Sequence, residues 1–192
     1  MHTVTAGLDA NLDMIGGDVV GGRTIWGFAL FGQDEMKLAA PLTMTFGARY
    51  DFSSVGITAP GGQVNPKLAF AYNPFEGTSV RASAARGFRV PAVAEAFLMA
   101  GFNNIMARPN EDLKPEKSWS FEIGASQRLG EFGTFDIAAF RTDYDNLIEV
   151  DVVDTSAGSL LFQWRNVAQA RVQGVETSFK IGLFEGALQY SL

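Results

Sequence analysis

Polar and apolar residues alternate along the chain with a period of two, most clearly over residues 118–129. The odd positions of this stretch, such as Trp119 and Phe121, are apolar apart from Gln127, and the even positions are small, polar or charged. Because successive side chains of a β-strand point to opposite faces of its sheet, this pattern predicts a strand with one apolar and one polar face. Residues 42–52 alternate in the same way and predict another such strand.

The same alternation, interrupted by turn residues, predicts nine strands. They cover residues 3–10, 24–38, 42–52, 65–72, 79–86, 118–129, 134–148, 160–183 and 187–192. The predicted connections alternate in length, with short turns near Ala40, Pro74, Glu131 and Glu185 and long loops over residues 11–23, 53–64, 87–115 and 151–159. Residues 167–171 break the pattern of the eighth strand, and we interpret them as a bulge or a late strand entry.

Regular alternation of short turns and long loops is typical of outer-membrane β-barrels. In such a barrel the apolar face of each strand contacts lipid, and the polar face lines a wet interior. The charged residues predicted to lie on the polar face are Arg49, Asp51, Lys67, Arg81, Glu122, Arg128, Glu176 and Lys180. A soluble β-sandwich shows the same two-faced alternation, so the pattern by itself leaves a soluble all-β binding module as an alternative.

Three motifs in order along the chain carry a family resemblance. The matching positions are Arg86, Gly87, Phe88, Arg89, Pro91, Glu95, Phe97, Asn110, Leu113, Lys114, Pro115, Glu116, Asn166, Gly174 and Glu176. Their arrangement resembles the strand exit, strand entry and later strands of TonB-dependent outer-membrane receptors. Residues 92–97 could form one or two helical turns, and Ala96 departs from the family pattern, which more often has leucine there.

The resemblance implies a barrel of about 22 strands around a plug domain in the outer membrane of a Gram-negative bacterium. Nine strands cannot close such a barrel, so we expect an incomplete antiparallel transmembrane β-barrel over residues 1–192, with the plug domain and closing strands absent. The family imports a scarce large nutrient, such as an iron–siderophore chelate or cobalamin. Energy comes from the TonB complex, which would act through the absent plug region. A passive outer-membrane channel is the alternative function.

Composition excludes several other classes of protein. The net charge of −6 argues against a nucleic-acid partner. The chain has no cysteine and one histidine, His2, so a Ser-His triad or a zinc site of the usual type is not expected. The acidic clusters lack the spacing of a calcium loop. We therefore predict no catalytic residues, no metal site and no cofactor, and we expect the protein not to be an enzyme.

Two groups of residues have competing interpretations. Arg86 and Arg89 could pair with loop carboxylates such as Glu95 or Glu116, or could grip an anionic ligand. The apolar stretch that includes Phe97 and Phe102, together with Met99, Ile105 and Met106, could pack on itself or contact a ligand. The structural pairing and the self-packing are the interpretations we favour, and Arg89, Phe97 and Phe102 are the candidate ligand contacts.

Overall fold

The computed structural model describes residues 1–54, 61–155, 160–166, 169–183 and 188–191, and most of these residues lie in strands. The elements in chain order are β1 (His2–Ile15), β2 (Arg23–Ala39), β3 (Leu42–Ser53), β4 (Gly61–Tyr72), β5 (Thr78–Arg89), α1 (Val93–Phe97), β6 (Ala100–Phe102), β7 (Ile105–Arg108), β8 (Glu116–Arg128), β9 (Gly133–Asp145), β10 (Ile148–Asp154), β11 (Leu160–Asn166), β12 (Gln169–Leu183) and β13 (Leu188–Ser191). No helix in these described ranges is long and apolar enough to cross a membrane.

Among the residues that the structure describes, the larger of two sheets has nine strands, which confirms the predicted number. Its order is β1-β2-β3-β4-β5-β8-β9-β12-β13, and all of its neighbours are antiparallel. Within the described residues β1 and β13 are the two edges, so the sheet is open. The predicted incomplete antiparallel barrel wall is therefore the observed architecture.

Strand register brings the predicted apolar residues onto one side of the larger sheet, which we call the apolar face. Phe46 lies opposite Leu68, and Ala84 lies opposite Phe121. Side chains on this face are freely accessible, with Ile123 60% and Phe46 54% exposed. The opposite side, which we call the polar face, carries the eight charged residues predicted to lie there.

The first two long loops are shorter than predicted, because β1 continues to Ile15 and β4 already begins at Gly61. The error at β1 has a physical cause. Asp and Asn are usual turn residues, and they suggested a loop. In the sheet, however, Asn11 and Asp13 lie on the polar face, where Asn11 donates a hydrogen bond to Asp13, and the backbone ladder to β2 continues past them to Ile15.

The region predicted as a polar loop followed by one long strand is also different. Residues 151–154 belong to β10, and residues 160–183 contain two strands of different sheets. The smaller sheet has the order β10-β11-β7-β6, and its β11–β7 pair is parallel. Residues 167–168, inside the predicted irregularity, and the predicted turn at residues 184–186 lie outside the described residues.

The predicted short turns near Ala40, Pro74 and Glu131 are confirmed and lie together at one end of the larger sheet, which we call the short-turn end. Gly130 has a φ of +62°, a left-handed conformation that glycine adopts without steric cost. At the opposite, long-connection end, residues 90–115 join β5 to β8 and residues 146–168 join β9 to β12. These two long connections supply α1 and the smaller sheet, and together we call them the loop assembly.

Candidate functional site

Arg89, the last residue of β5, is the charged centre of the long-connection end. Its Nε and Nη2 donate to the two carboxylate oxygens of Glu116 at 2.8 and 2.7 Å, and its Nη1 donates to Glu95 at 2.8 Å. A planar guanidinium that holds a carboxylate through two parallel bonds is a strong and geometrically specific pair. The predicted pairing of Arg89 with these two glutamates is therefore present.

Glu95 also fixes the start of helix α1. Its Oε2 accepts a hydrogen bond from the backbone N–H of Ala92 at 2.7 Å and also accepts the bond from Nη1 of Arg89. This contact satisfies one of the N–H groups that a helix start leaves without an intrahelical partner. The helix predicted within residues 92–97 is confirmed, and it is a single short turn, Val93–Phe97.

Glu116 joins the two long connections to each other. It is only 7% exposed, and its Oε1 accepts the backbone N–H of Ile148 at 2.8 Å in addition to the bond from Arg89. A buried carboxylate is tolerated when it is paired and its lone pairs are satisfied. One side chain therefore ties the end of β5, the start of β8 and the start of β10.

Two asparagines of the motifs add backbone contacts across the same junction. Asn110 donates from Nδ2 to the carbonyl of Trp164 at 2.7 Å. Asn166 accepts the N–H of Lys114 at 2.8 Å and donates to the carbonyls of Lys114 and Asn146 at 2.9 and 2.7 Å. An amide side chain can donate and accept at once, so it can replace a strand partner for two backbone segments.

A small apolar core lies beneath these polar contacts. Its buried members are Val93, Ala96, Phe97, Leu113 and Ile148, with Val20, Ile25 and Trp164 packed against them. The guanidinium carbon of Arg23 lies 4.3 Å from the centre of the Phe97 ring, within range of a cation–π contact. Because Phe97 is only 8% exposed, it has little surface to offer a ligand. The motif residues therefore build a packed, hydrogen-bonded loop assembly.

The remaining motif residues have separate positions. Arg86 lies opposite Trp119 on the apolar face, whereas Arg89 lies on the polar face. Among the described residues Arg86 makes no ion pair with Glu95 or Glu116. The predicted pairing of Arg86 with a loop carboxylate was therefore wrong. Pro91 is fully buried. Gly174 lies under the ring of Phe140, which would be 3.0 Å from an added Cβ. Gly87 lies opposite Ser118. The other motif residues are Phe88, Lys114, Pro115 and Glu176.

The apolar stretch of the loop assembly does not pack on itself as we expected. Only Phe97 is buried, while Met99, Phe102, Ile105 and Met106 are exposed, Phe102 to 77%. The hairpin of β6 and β7 carries most of these residues, and its strand β7 pairs with β11. The hairpin therefore presents an accessible apolar surface at the long-connection end.

A cleft of about 430 Å³ separates the loop assembly from the polar face of β1–β3. Asp9, Asp13 and Asp51 contribute three carboxylates to its wall against the single guanidinium of Arg49, which pairs with Asp9 and Asp51. Asn65 donates to Asp51 at 2.9 Å. The carboxylates outnumber the cations, so the wall of this cleft is acidic.

Sequence reasoning missed three residues of the loop assembly. Ile148 and Trp164 join its core, and Asn146 adopts a left-handed conformation with a φ of +58° while its carbonyl accepts from Asn166. Asn146 tolerates this conformation better than most residues. The dipeptide Asp145-Asn146, at the end of β9, is a turn signal from which this conformation could have been predicted.

Comparison with known proteins agrees with this architecture. The family model for the TonB dependent receptor-like β-barrel matches residues 3–192. The ferrienterobactin receptor of Escherichia coli K12 is 28% identical over 173 residues, which are 82% of this chain and 22% of that protein. The ferric enterobactin receptor of Pseudomonas aeruginosa is 26% identical over 179 residues, covering 83% of this chain and 23% of that protein.

A solved structure gives the same result. The siderophore receptor PirA from Pseudomonas aeruginosa superposes with a TM-score of 0.85 and 25% identity over 99% of this chain and 38% of that one. The chain belongs to the TonB-dependent receptor β-barrel family. It spans about a quarter of the length of the curated relatives named above.

Proposed function

We propose that this chain forms part of the barrel wall and extracellular mouth of an outer-membrane receptor that actively imports an iron–siderophore chelate. The family match over residues 3–192 carries this proposal. Relatives described as ferric enterobactin and siderophore receptors support the substrate class. The chain itself acts as a transport and binding element, not as an enzyme.

The two faces of the larger sheet support a membrane orientation. An accessible face rich in Phe, Ile, Leu and Val is stable against hydrocarbon, and the charged polar face then lines a wet interior. Backbone groups in lipid must be paired, so the edges β1 and β13 require further strands beside them in the membrane. We therefore assign this chain to the wall of a larger barrel with a plug domain.

The loop assembly is the proposed ligand-facing part, and the long-connection end lies outside the cell. Phe102 is the candidate contact, because this aromatic residue of the hairpin is 77% exposed and can stack on an aromatic chelator. Arg89 is held by two carboxylates and Phe97 is buried, so both position the loops that a ligand would touch. The TonB complex supplies energy through a plug region outside this chain.

Uptake of ferric enterobactin by the intact receptor that carries this chain tests the proposal. We expect uptake that stops in cells lacking TonB, whereas uptake that continues there would establish a passive channel. Phe102→Ala should weaken binding of the chelate to whole cells. Phe75→Ala is the matched control, because Phe75 is equally exposed at the short-turn end. Equal binding by both variants would exclude Phe102 as a ligand contact.

A further inference from the structure

Four cations lie on the apolar face, close to the long-connection end. Cα partners of an antiparallel pair share a face, and the register places Arg86 opposite Trp119, Arg141 opposite Phe121 and Arg171 opposite Asp143. Lys117, opposite Phe88, is the fourth cation. Alternation along β8, together with the register of its neighbours, therefore puts all four side chains on the side that the proposed function assigns to lipid.

The position of these cations differs from that of every other lysine and arginine on the larger sheet. On the described apolar face of β1–β4 there is no lysine or arginine, and the other cations of the sheet lie on the polar face. The same face of β8 and β9 nearer the short-turn end carries Ile123, Ala125, Ile137 and Ala139. The charges therefore form one cluster directly above an apolar band.

Asp143 holds the guanidinium groups of two of these cations, Arg141 and Arg171, in place. Arg141 donates from Nε to Asp143 Oδ2 at 2.9 Å, with its Nη2 2.8 Å from the same oxygen, and Arg171 donates from Nε to Oδ1 of Asp143. Both terminal amino groups of Arg171 remain without a partner among the described residues. A guanidinium fixed on one edge keeps its other donors available for an anion at little further entropic cost.

The charge balance of the cluster favours an anionic partner. Four cations face two acids, Asp143 and Asp145, whereas the whole chain has a net charge of −6. Trp119 and Phe121 lie among these charges, opposite Arg86 and Arg141, and their stacked rings have centroids 6.1 Å apart. Aromatic residues beside charges at the edge of an apolar band are typical of the level at which lipid headgroups begin.

We propose that this cluster binds the phosphate group of an anionic lipid in the outer leaflet of the membrane. The phosphate would accept hydrogen bonds from the free donors of Arg171 and Arg141, and its acyl chains would lie against Phe121 and Ile123. Phosphate oxygens match the planar fork of arginine. A soluble anion would contact only the cations and would make no contact with the apolar residues. The proposal rests on the lipid-facing orientation given under the proposed function.

The test is a titration of the purified intact receptor in neutral detergent, followed by native mass spectrometry. The probes are phosphatidic acid and phosphatidylcholine with the same acyl chains. We expect phosphatidic acid to bind more tightly, and Arg141→Gln with Arg171→Gln to weaken that binding about 25-fold, since each cation near a membrane surface contributes about fivefold. The matched control, Arg81→Gln with Arg128→Gln, removes the same charge from the polar face and should leave the affinity unchanged.

Three outcomes would overturn the proposal: equal binding of the two lipids, equal loss in the two double variants, or displacement of phosphatidic acid by millimolar inorganic phosphate. The heat-dependent gel mobility of the folded barrel verifies that each variant is assembled. If the double variant does not assemble, Arg171→Gln alone should lower the affinity about fivefold, and no change would refute the site. Uptake is measured separately, so normal lipid binding without uptake would refute only the proposed function.

Discussion

Replacing Glu116 by glutamine should loosen the loop assembly while leaving the larger sheet intact. Glu116 accepts two hydrogen bonds from Arg89 and one from the backbone of Ile148. Glutamine has nearly the same shape, but one acceptor oxygen becomes an NH₂ donor. That donor would face either Nε–H of Arg89, or both Nη2–H of Arg89 and the N–H of Ile148, so at least one of the three bonds is lost.

The structure sets the size of the effect. A hydrogen bond to a charged group contributes about 1.5–3 kcal/mol, and the loss of charge weakens the bonds that remain. Arg89 keeps Glu95 as a partner and is partly exposed, which limits the penalty of leaving its charge unpaired. We therefore expect the loop assembly to become less stable by about 2–3 kcal/mol relative to its locally opened state.

Hydrogen exchange of the intact receptor measures this local stability. The backbone amides of Asn110 and Ile148 are bonded within the loop assembly, to Ala96 and Glu116, and their exchange should accelerate about 30- to 150-fold. The amide of Gly124 in the β8 ladder should be unaffected. An unchanged rate at Asn110 and Ile148, or equal acceleration at Gly124, would refute the reasoning.

Glu122→Gln is the matched control for this experiment. Glu122 is also a β8 glutamate paired with an arginine, Arg81, at 3.2 Å, but both side chains are more than 40% exposed. Exposed ion pairs contribute about 0–1 kcal/mol. Exchange in the loop assembly should therefore remain at the wild-type rate, and a response equal to that of Glu116→Gln would show that the effect is not specific to the junction.

Three further predictions follow from the same geometry. Ile123→Arg should lower the free energy of unfolding by about 2–4 kcal/mol if the site is near the bilayer midplane, and Glu122→Gln on the other face should lower it much less. Folding of the intact receptor into lipid vesicles measures both, and equal penalties would contradict the assigned faces. A cysteine at Met99 should react with an impermeant thiol reagent on intact cells and one at Glu131 only after the outer membrane is opened, so labelling of both would contradict the topology. Phe97→Ala should destabilise the loop assembly by about 3–5 kcal/mol, seen as faster proteolysis of residues 90–115, and wild-type resistance would show that its core is not required.

The sequence by itself determined the repeating part of this protein. Alternation places Phe121 and Ile123 on one face of their strand whatever its partners are, because the period of two is a property of the extended backbone. Short turns such as the one at Gly130 are local as well. The nine strands and their two faces could therefore be predicted without any knowledge of which strands pair.

Contacts between residues distant in sequence could not be predicted in this way. The bond from Ile148 to Glu116, the amide contacts of Asn110 with Trp164 and of Asn166 with Lys114, and the parallel pairing of β11 with β7 join segments more than 30 residues apart. Strand content within the long connections is created by this pairing, so the sequence of residues 151–159 looked like a polar loop until its neighbours were known.

Faces near the ends of strands also depended on register. Arg86 and Arg89 are three residues apart, an odd spacing that places them on opposite faces, and only the pairing with Trp119 and Glu116 shows which face each one has. Arg141 and Arg171 form one cluster because β9 and β12 are neighbours in space. Tertiary pairing, which brings charges from four strands to one rim, decided where this protein departs from simple alternation.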